Sequence, residues 1–405
     1  MTSLTHCPAC GSADLRVFYE IEGVPVHSVL LLPTREAAIG YPRGDIRLGF
    51  CEACGFITNT AFDPSKHEYS ERYEETQGFS ATFTSFHRRL AQYLIDRYDL
   101  HGREIIEIGC GKGEFLTLLC ELGPNRGTGF DPAYVPGRAR SEQPVDVTFI
   151  QDFYSEKYAH HQADFYVCKM TLEHIQDVYA FVSTVRRSVG ERRDATIFFQ
   201  IPEVRRILRD QAFWDIYYEH CSYFSQGSLA RLFRRAGFDV INLWTDYDDQ
   251  YLMIEARPGG EQVTPPLPQE DDLDALRAEV NLFAGRLPVR LDGWRRRLER
   301  YRREGRRVVL WGGGSKGVAF LTTLGAGEDL VQYAVDINPY KEGTYMAGTG
   351  QRIVRPEFLR EFRPDVVVVM NSIYCQEIRG DLEKMGLDPL LLAIETEDEE
   401  ESSLP

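Results

Sequence analysis

The residues 213–225, Phe-Trp-Asp-Ile-Tyr-Tyr-Glu-His-Cys-Ser-Tyr-Phe-Ser, pack aromatics, two carboxylates and an imidazole into a short span. They show neither the three-to-four spacing of an amphipathic helix nor the alternation of a half-buried strand, so they read as a loop between elements. A buried Glu219–His220 pair is a proton-handling unit, since imidazole titrates near neutrality and a carboxylate can orient it and stabilise its cation. The hydroxyl of Tyr217 can donate to an oxyanion as it forms. The same residues also suit a polar network that locks a loop. Thr171-Leu172-Glu173-His174 follows the apolar run 164–170. Ligands of open α/β sheets bind beyond strand ends, which places His174 where chemistry occurs. Tyr73 belongs to an aromatic run with Tyr69, Phe79, Phe83 and Phe86. That run is either a connecting helix with a buried stripe or a lid that brings Tyr73 to the reaction centre.

Four of the nine cysteines fall in two turns, Cys7-Pro-Ala-Cys10-Gly and Cys51-Glu-Ala-Cys54-Gly. Each turn aims two thiolates at one point, and together they make a closed tetrahedral sulfur site, the geometry of structural zinc. Iron in a rubredoxin-like electron carrier is the rival reading. A closed site leaves no open coordination position, so its role is stability. The remaining cysteines stand singly among apolar residues, which fits reduced thiols and not a disulfide framework.

A third constellation positions a ligand against these groups. Glu107-Ile-Gly109-Cys-Gly111-Lys-Gly113 follows a short apolar run and precedes Leu116, Leu118, Leu119 and Leu122, spaced for the buried face of a helix. Strand, glycine turn and helix make a nucleotide site, because the backbone turns sharply and the helix start offers free N–H groups. About twenty residues on, a run ending Phe130-Asp131 places an acid to take a ribose diol. NAD enzymes use similar turns. An acid at the first strand end and another at the second resembles the class I S-adenosylmethionine (SAM) methyltransferases. That resemblance implies Glu107, Gly109, Gly111 and Gly113 at the methionine end of SAM and Asp131 on its ribose. It also implies Asp152 and Phe153, after the strand 147–150, at the adenine; a turn-capping Asp is the plainer reading of Asp152.

The elements that must hold these groups follow from length and pattern. A chain of 405 residues, 43% hydrophobic and 12% aromatic, divides into two or three domains. We expect a zinc-binding unit over 1–70, an α/β SAM-methyltransferase domain over 71–258, and a linker with a long helical segment over 259–305. A smaller Rossmann-like α/β domain follows over 306–395, then an acidic, disordered tail over 396–405. Pro288 should kink or split the long helix, and its arginine clusters read as a solvated face or a diphosphate site. The last domain carries Gly312-Gly-Gly-Ser-Lys316-Gly with Asp336 ending the next strand, which also admits an NAD site. A net charge of −16 argues against nucleic acid, including a zinc-ribbon nucleic-acid methyltransferase. No run suits a membrane span or a cleavable leader, so a cytoplasmic protein is expected.

Zinc knuckles, a SAM domain with Tyr217-x-Glu219-His220, then a Rossmann-like domain with a glycine-rich turn and lysine together resemble the deoxysugar C-methyltransferases. Those enzymes methylate carbon 3 of thymidine-diphosphate-linked 4-keto-2,6-dideoxysugars. The resemblance implies that His220 is the base at the carbon to be methylated, with Glu219 and Tyr217 beside it. His174 and Tyr73 would be further members of the active site, and Lys316 would lie near the substrate. Carbon needs such a base, because it is no nucleophile until a proton leaves, whereas transfer to oxygen or nitrogen could work mainly by positioning. The expected cofactors are SAM and structural zinc. The expected partner is a small molecule, a nucleotide-linked keto-sugar, for a monomer or weak homo-oligomer. Residues 26–43, the Gly-Gly-Gly-Ser-Lys-Gly turn and Asn371-Ser-Ile-Tyr-Cys depart from the family pattern, and all bear on the substrate. A SAM enzyme acting at carbon, oxygen or nitrogen of another metabolite, or an NAD-dependent oxidoreductase, are the alternatives.

Overall fold

A computed structural model describes residues 4–66, 70, 72–260 and 264–396. Tyr69 and the acidic run 397–401 lie outside the described residues. The chain opens with β1 (Leu15–Pro25), β2 (Arg43–Cys51) and β3 (Ile57–Asn59), an antiparallel set. Next come β4 (Glu104–Ile108), β5 (Arg126–Phe130), β6 (Asp146–Ile150), β7 (Phe165–Lys169) and β8 (Thr196–Pro202), which pair in parallel. A two-residue strand, β9 (Ser222–Tyr223), returns to the first sheet beside β3. The hairpin of β10 (Phe238–Asp246) and β11 (Tyr251–Pro258) closes the central sheet antiparallel to β8. The last sheet consists of β12 (Val308–Trp311), β13 (Tyr333–Val335), β14 (Arg352–Val354), β15 (Val366–Val369) and β16 (Leu390–Ala393), all parallel.

Strand order in the central sheet is β10-β11-β8-β7-β4-β5-β6, and in the last β14-β13-β12-β15-β16. This is a mixed-sheet form of the class I Rossmann-like α/β fold. Their near-continuous apolar strands, such as β7 and β15, are buried on both faces, as parallel strands covered by helices must be. Both sheets turn their carboxyl ends toward one cavity of about 520 Å³, lined by Gly109 and His174 from one side and Gly312 and Asn371 from the other.

The helix Ala81–Tyr98 is set by local chemistry. Ser80 caps its start by accepting from the Phe83 N–H, and Phe83, Phe86, Leu90 and Leu94 recur on its buried face. Residues 72–80 before it are not helical, so of the aromatic run only Phe83 and Phe86 belong to a helix with a buried stripe. Tyr73 instead forms an antiparallel bridge with Leu30. The long helix Leu273–Arg303 runs unbroken through Pro288, against the expected split. Pro288 is exposed, so the carbonyl it strips of a partner faces water, while Leu287 and Trp294 stay in the core. Of its clustered arginines, Arg302 pairs locally with Glu299 at 2.7 Å, whereas Arg297 is buried and donates to the Thr396 carbonyl at 3.2 Å. Among the described residues no helix is long and apolar enough to cross a membrane.

Candidate active site

The glycine turn after β4 leads directly into the helix Glu114–Leu122. Gly111 (φ 54°) and Gly113 (φ 85°) occupy the left-handed region, and a Cβ on Gly113 would stand 2.5 Å from the Phe149 ring. The Gly111 N–H donates to Asp131 Oδ2 at 2.9 Å, tying the turn to the end of β5. Glu107, buried, keeps one carboxylate oxygen without a hydrogen-bond partner. A turn of this shape, an orphaned buried acid and Asp131 one strand away suit the methionyl and ribose ends of SAM. Phe130 is packed between Tyr154 and Tyr158 and borders the cavity. Asp152 and Phe153 also border it: Phe153 is 57% exposed, whereas Asp152 is engaged by Lys157 and by the Tyr158 hydroxyl at 2.7 Å.

Beyond the end of β7 the predicted catalytic residues converge. The His174 and His220 rings meet edge to face with centroids 4.9 Å apart, and Tyr217 lies 4.0 Å from His220. His174 Nδ1 stands 3.1 Å from the Glu219 carbonyl oxygen. A carbonyl only accepts, so Nδ1 carries the proton and Nε2 keeps its lone pair. Burial, reinforced by His220, holds His174 well below the usual imidazole range. The Tyr217 hydroxyl is pushed well above its ordinary value, chiefly by burial.

Glu219 is placed differently from expectation. It does not border the cavity. Its carboxylate accepts from the Ser28 N–H at 2.9 Å and from the Ser28 hydroxyl, with Tyr73 a further donor. The acid that does face the imidazoles is Glu173, whose ligating atom lies within 4.8 Å of those of His174 and His220. Both Glu173 oxygens are buried without hydrogen-bond partners, and burial pushes its carboxyl up to about 8. Sequence reasoning passed over Glu173, although it sits beside His174 at a strand end. Ser28 lies in the stretch 26–43 that departs from the family pattern, but nothing in its residue type marks it as the partner of Glu219.

Burial also raises Glu219 to about 7, against the donors Ser28 and Tyr73. A carboxyl raised above its unfolded value contributes stability that is present below about pH 4.5 and lost as pH rises through 7. Ser28→Ala removes a donor that limits this loss. It is therefore expected to cost about 1.5–3 kcal/mol of stability, with the deficit against wild type widening as pH rises from 4.5 to 8. Thermal unfolding across that range checks it; a deficit independent of pH would show that Ser28 only packs.

The last domain contributes the far wall. Lys316 donates to Asp215 at 2.8 Å and to Gln250 at 3.1 Å, so the lysine in the glycine turn is already paired. Asp336 accepts from the Gly313 N–H and from Lys341, both at 3.1 Å. Apart from the cavity, Cys7 and Cys54 sulfurs lie 3.7 Å apart, and those of Cys10 and Cys51 lie 3.6 Å apart. A tetrahedron with sulfur about 2.3 Å from its centre has edges of about 3.8 Å. The four cysteines fit a closed metal centre.

A glycine turn between acid-tipped parallel strands, opening on paired imidazoles, defines a SAM-dependent methyltransferase, and the sequence agrees. Residues 82–243 match the family described as methyltransferase domain, and residues 255–387 match the C-methyltransferase C-terminal domain. C-methyltransferase NovU of Streptomyces niveus is 25% identical over 389 residues, covering 93% of this chain and 91% of NovU. The chain is a SAM-dependent C-methyltransferase, similar to NovU along almost its whole length. Among solved structures, 1,6-didemethyltoxoflavin-N1-methyltransferase of Burkholderia thailandensis aligns over 44% of this chain and 82% of its own, at 16% identity and TM-score 0.34. CalO1, a methyltransferase in calicheamicin biosynthesis, aligns over 44% of this chain and 54% of its own, at 17% identity and TM-score 0.36.

Proposed function

We propose that this enzyme removes a proton from a carbon beside a carbonyl of a nucleotide-linked keto-deoxysugar and methylates that carbon, in natural-product biosynthesis. The observation that carries this reading is the His174–His220 pair on a cavity shared by the SAM turn and the last domain. Transfer to oxygen or nitrogen can work mainly by positioning, whereas a carbon acceptor must first be deprotonated.

Glu107, the Gly109–Gly113 turn and Asp131 would hold SAM, with Asp152 and Phe153 at its adenine end. When bound, SAM supplies an electrophilic methyl group on a sulfonium. His220 takes the proton from the substrate carbon. The Tyr217 hydroxyl, kept protonated by burial, donates to the oxygen on which the charge collects. His174 stays neutral beside His220, so the new imidazolium gains no like-charged neighbour. Glu219 positions the loop through Ser28 and Tyr73, and the last domain encloses the nucleotide end near Lys316. The four-cysteine centre holds zinc as a structural ion.

The test is proton exchange in heavy water. With a thymidine-diphosphate 4-keto-2,6-dideoxysugar and no SAM, the enzyme is expected to wash deuterium into carbon 3, read by NMR, and to methylate that carbon once SAM is added. Methylation without any exchange-competent carbon in the accepted substrate would remove the base from the mechanism.

A further inference from the structure

Lys169 ends β7 with its side chain turned inward and is 7% exposed. Its Nζ lies 2.9 Å from His87 Nε2 and 3.7 Å from the centroid of the Phe115 ring, and it borders the cavity. Among the described residues no carboxylate makes an ion pair with it. This sets it apart from Lys316 and Lys341, which border the same cavity and are each paired with an aspartate. An ammonium taken out of water without a counter-charge is costly, and a site that keeps one is built for an anion that arrives later.

The position of Glu107 sharpens this. Across the β4–β7 ladder Glu107 pairs with Val167. Side chains alternate along a strand, so Glu107 and Lys169 project from the same face, one on each neighbouring strand. They do not touch, and one Glu107 oxygen is unpartnered. Burial lowers Lys169 to about 7 and raises Glu107 to about 8, while each pulls the other back toward its charged form. Two opposite buried charges, near but apart, match a ligand that carries both signs on adjacent atoms. The methionyl end of SAM is such a zwitterion.

We propose that Lys169 binds the α-carboxylate of SAM, forming with Glu107 a clamp that recognises the amino-acid end by both of its charges. The clamp rests on the reading of this cavity as the SAM site. His87 accepts from the ammonium and holds it in place, and the Phe115 face stabilises it from the side.

Calorimetry with SAM and with its decarboxylated analogue, which keeps the sulfonium, ribose, adenine and amine, tests the clamp. Wild-type enzyme is expected to bind SAM about 10–100-fold more tightly than the analogue, the range of a charge-assisted hydrogen bond. Lys169→Met should weaken SAM to the level of the analogue and leave the analogue's affinity unchanged. Equal affinities for the two ligands in wild type would overturn the proposal without any variant. So would a Lys169→Met enzyme that still prefers SAM, or one that loses both ligands alike. Failure of wild type to bind either ligand would instead remove the SAM site itself, and the clamp with it.

Discussion

Replacing His220 by asparagine is expected to lower methyl transfer by about 10²–10⁴-fold, the usual contribution of a positioned general base, while SAM affinity and thermal stability stay near wild type. Asparagine keeps a polar group in the loop but cannot take a proton at neutral pH. The His174–Glu219 bond, which runs from a ring nitrogen to a backbone carbonyl, survives the change. Deuterium exchange at the substrate carbon should fall in parallel with methylation, since both need the same proton removal. A variant that exchanges and methylates at full rate would reassign the base. His174 would be the next candidate, because its Nε2 retains a lone pair within the same cluster.

The second large effect concerns the metal centre. Cys51→Ser should abolish stoichiometric zinc, measured by atomic absorption, and destabilise the chain by on the order of 5 kcal/mol. Isolated zinc peptides gain about 10–16 kcal/mol from their ion. The loss here should be smaller, because the first sheet also packs through Phe18 and Tyr19 on Phe283 of the long helix. Activity should fall as well, although the cysteines lie outside the cavity. Cys51 ends β2, β2 pairs with β3, and β3 pairs with β9, whose first residue is two positions from His220. A zinc-free variant with full stability and rate would confine the centre to a dispensable appendage.

The fold was legible where local pattern and burial agree. The apolar run before Glu107, the glycines and the leucine spacing after them are decided by backbone sterics and helix geometry, so the turn could be read from its own residues. The cluster of His174, Tyr217 and His220 was readable because strand ends and an aromatic loop are unusual places for imidazoles. The partners of Glu219 were not readable. Ser28 is far away in sequence, and a serine in an apolar stretch carries no period or motif. Glu173 was hidden for the opposite reason: it stands next to the histidine that drew the interpretation, and only burial exposes its lack of partners. Pro288 shows the same limit, because whether a proline breaks a helix depends on which side of it meets water.

The Ser28 hydroxyl donates to Glu219, and its oxygen accepts from the Ser315 hydroxyl at 2.8 Å, at the start of the first helix of the last domain. One small side chain thus joins segments that recombination would otherwise treat as exchangeable cassettes. A chimera that imports a relative's last domain to change acceptor preference must therefore carry the residues around position 28 along with it. These distant stretches should be inherited, and engineered, as a single block.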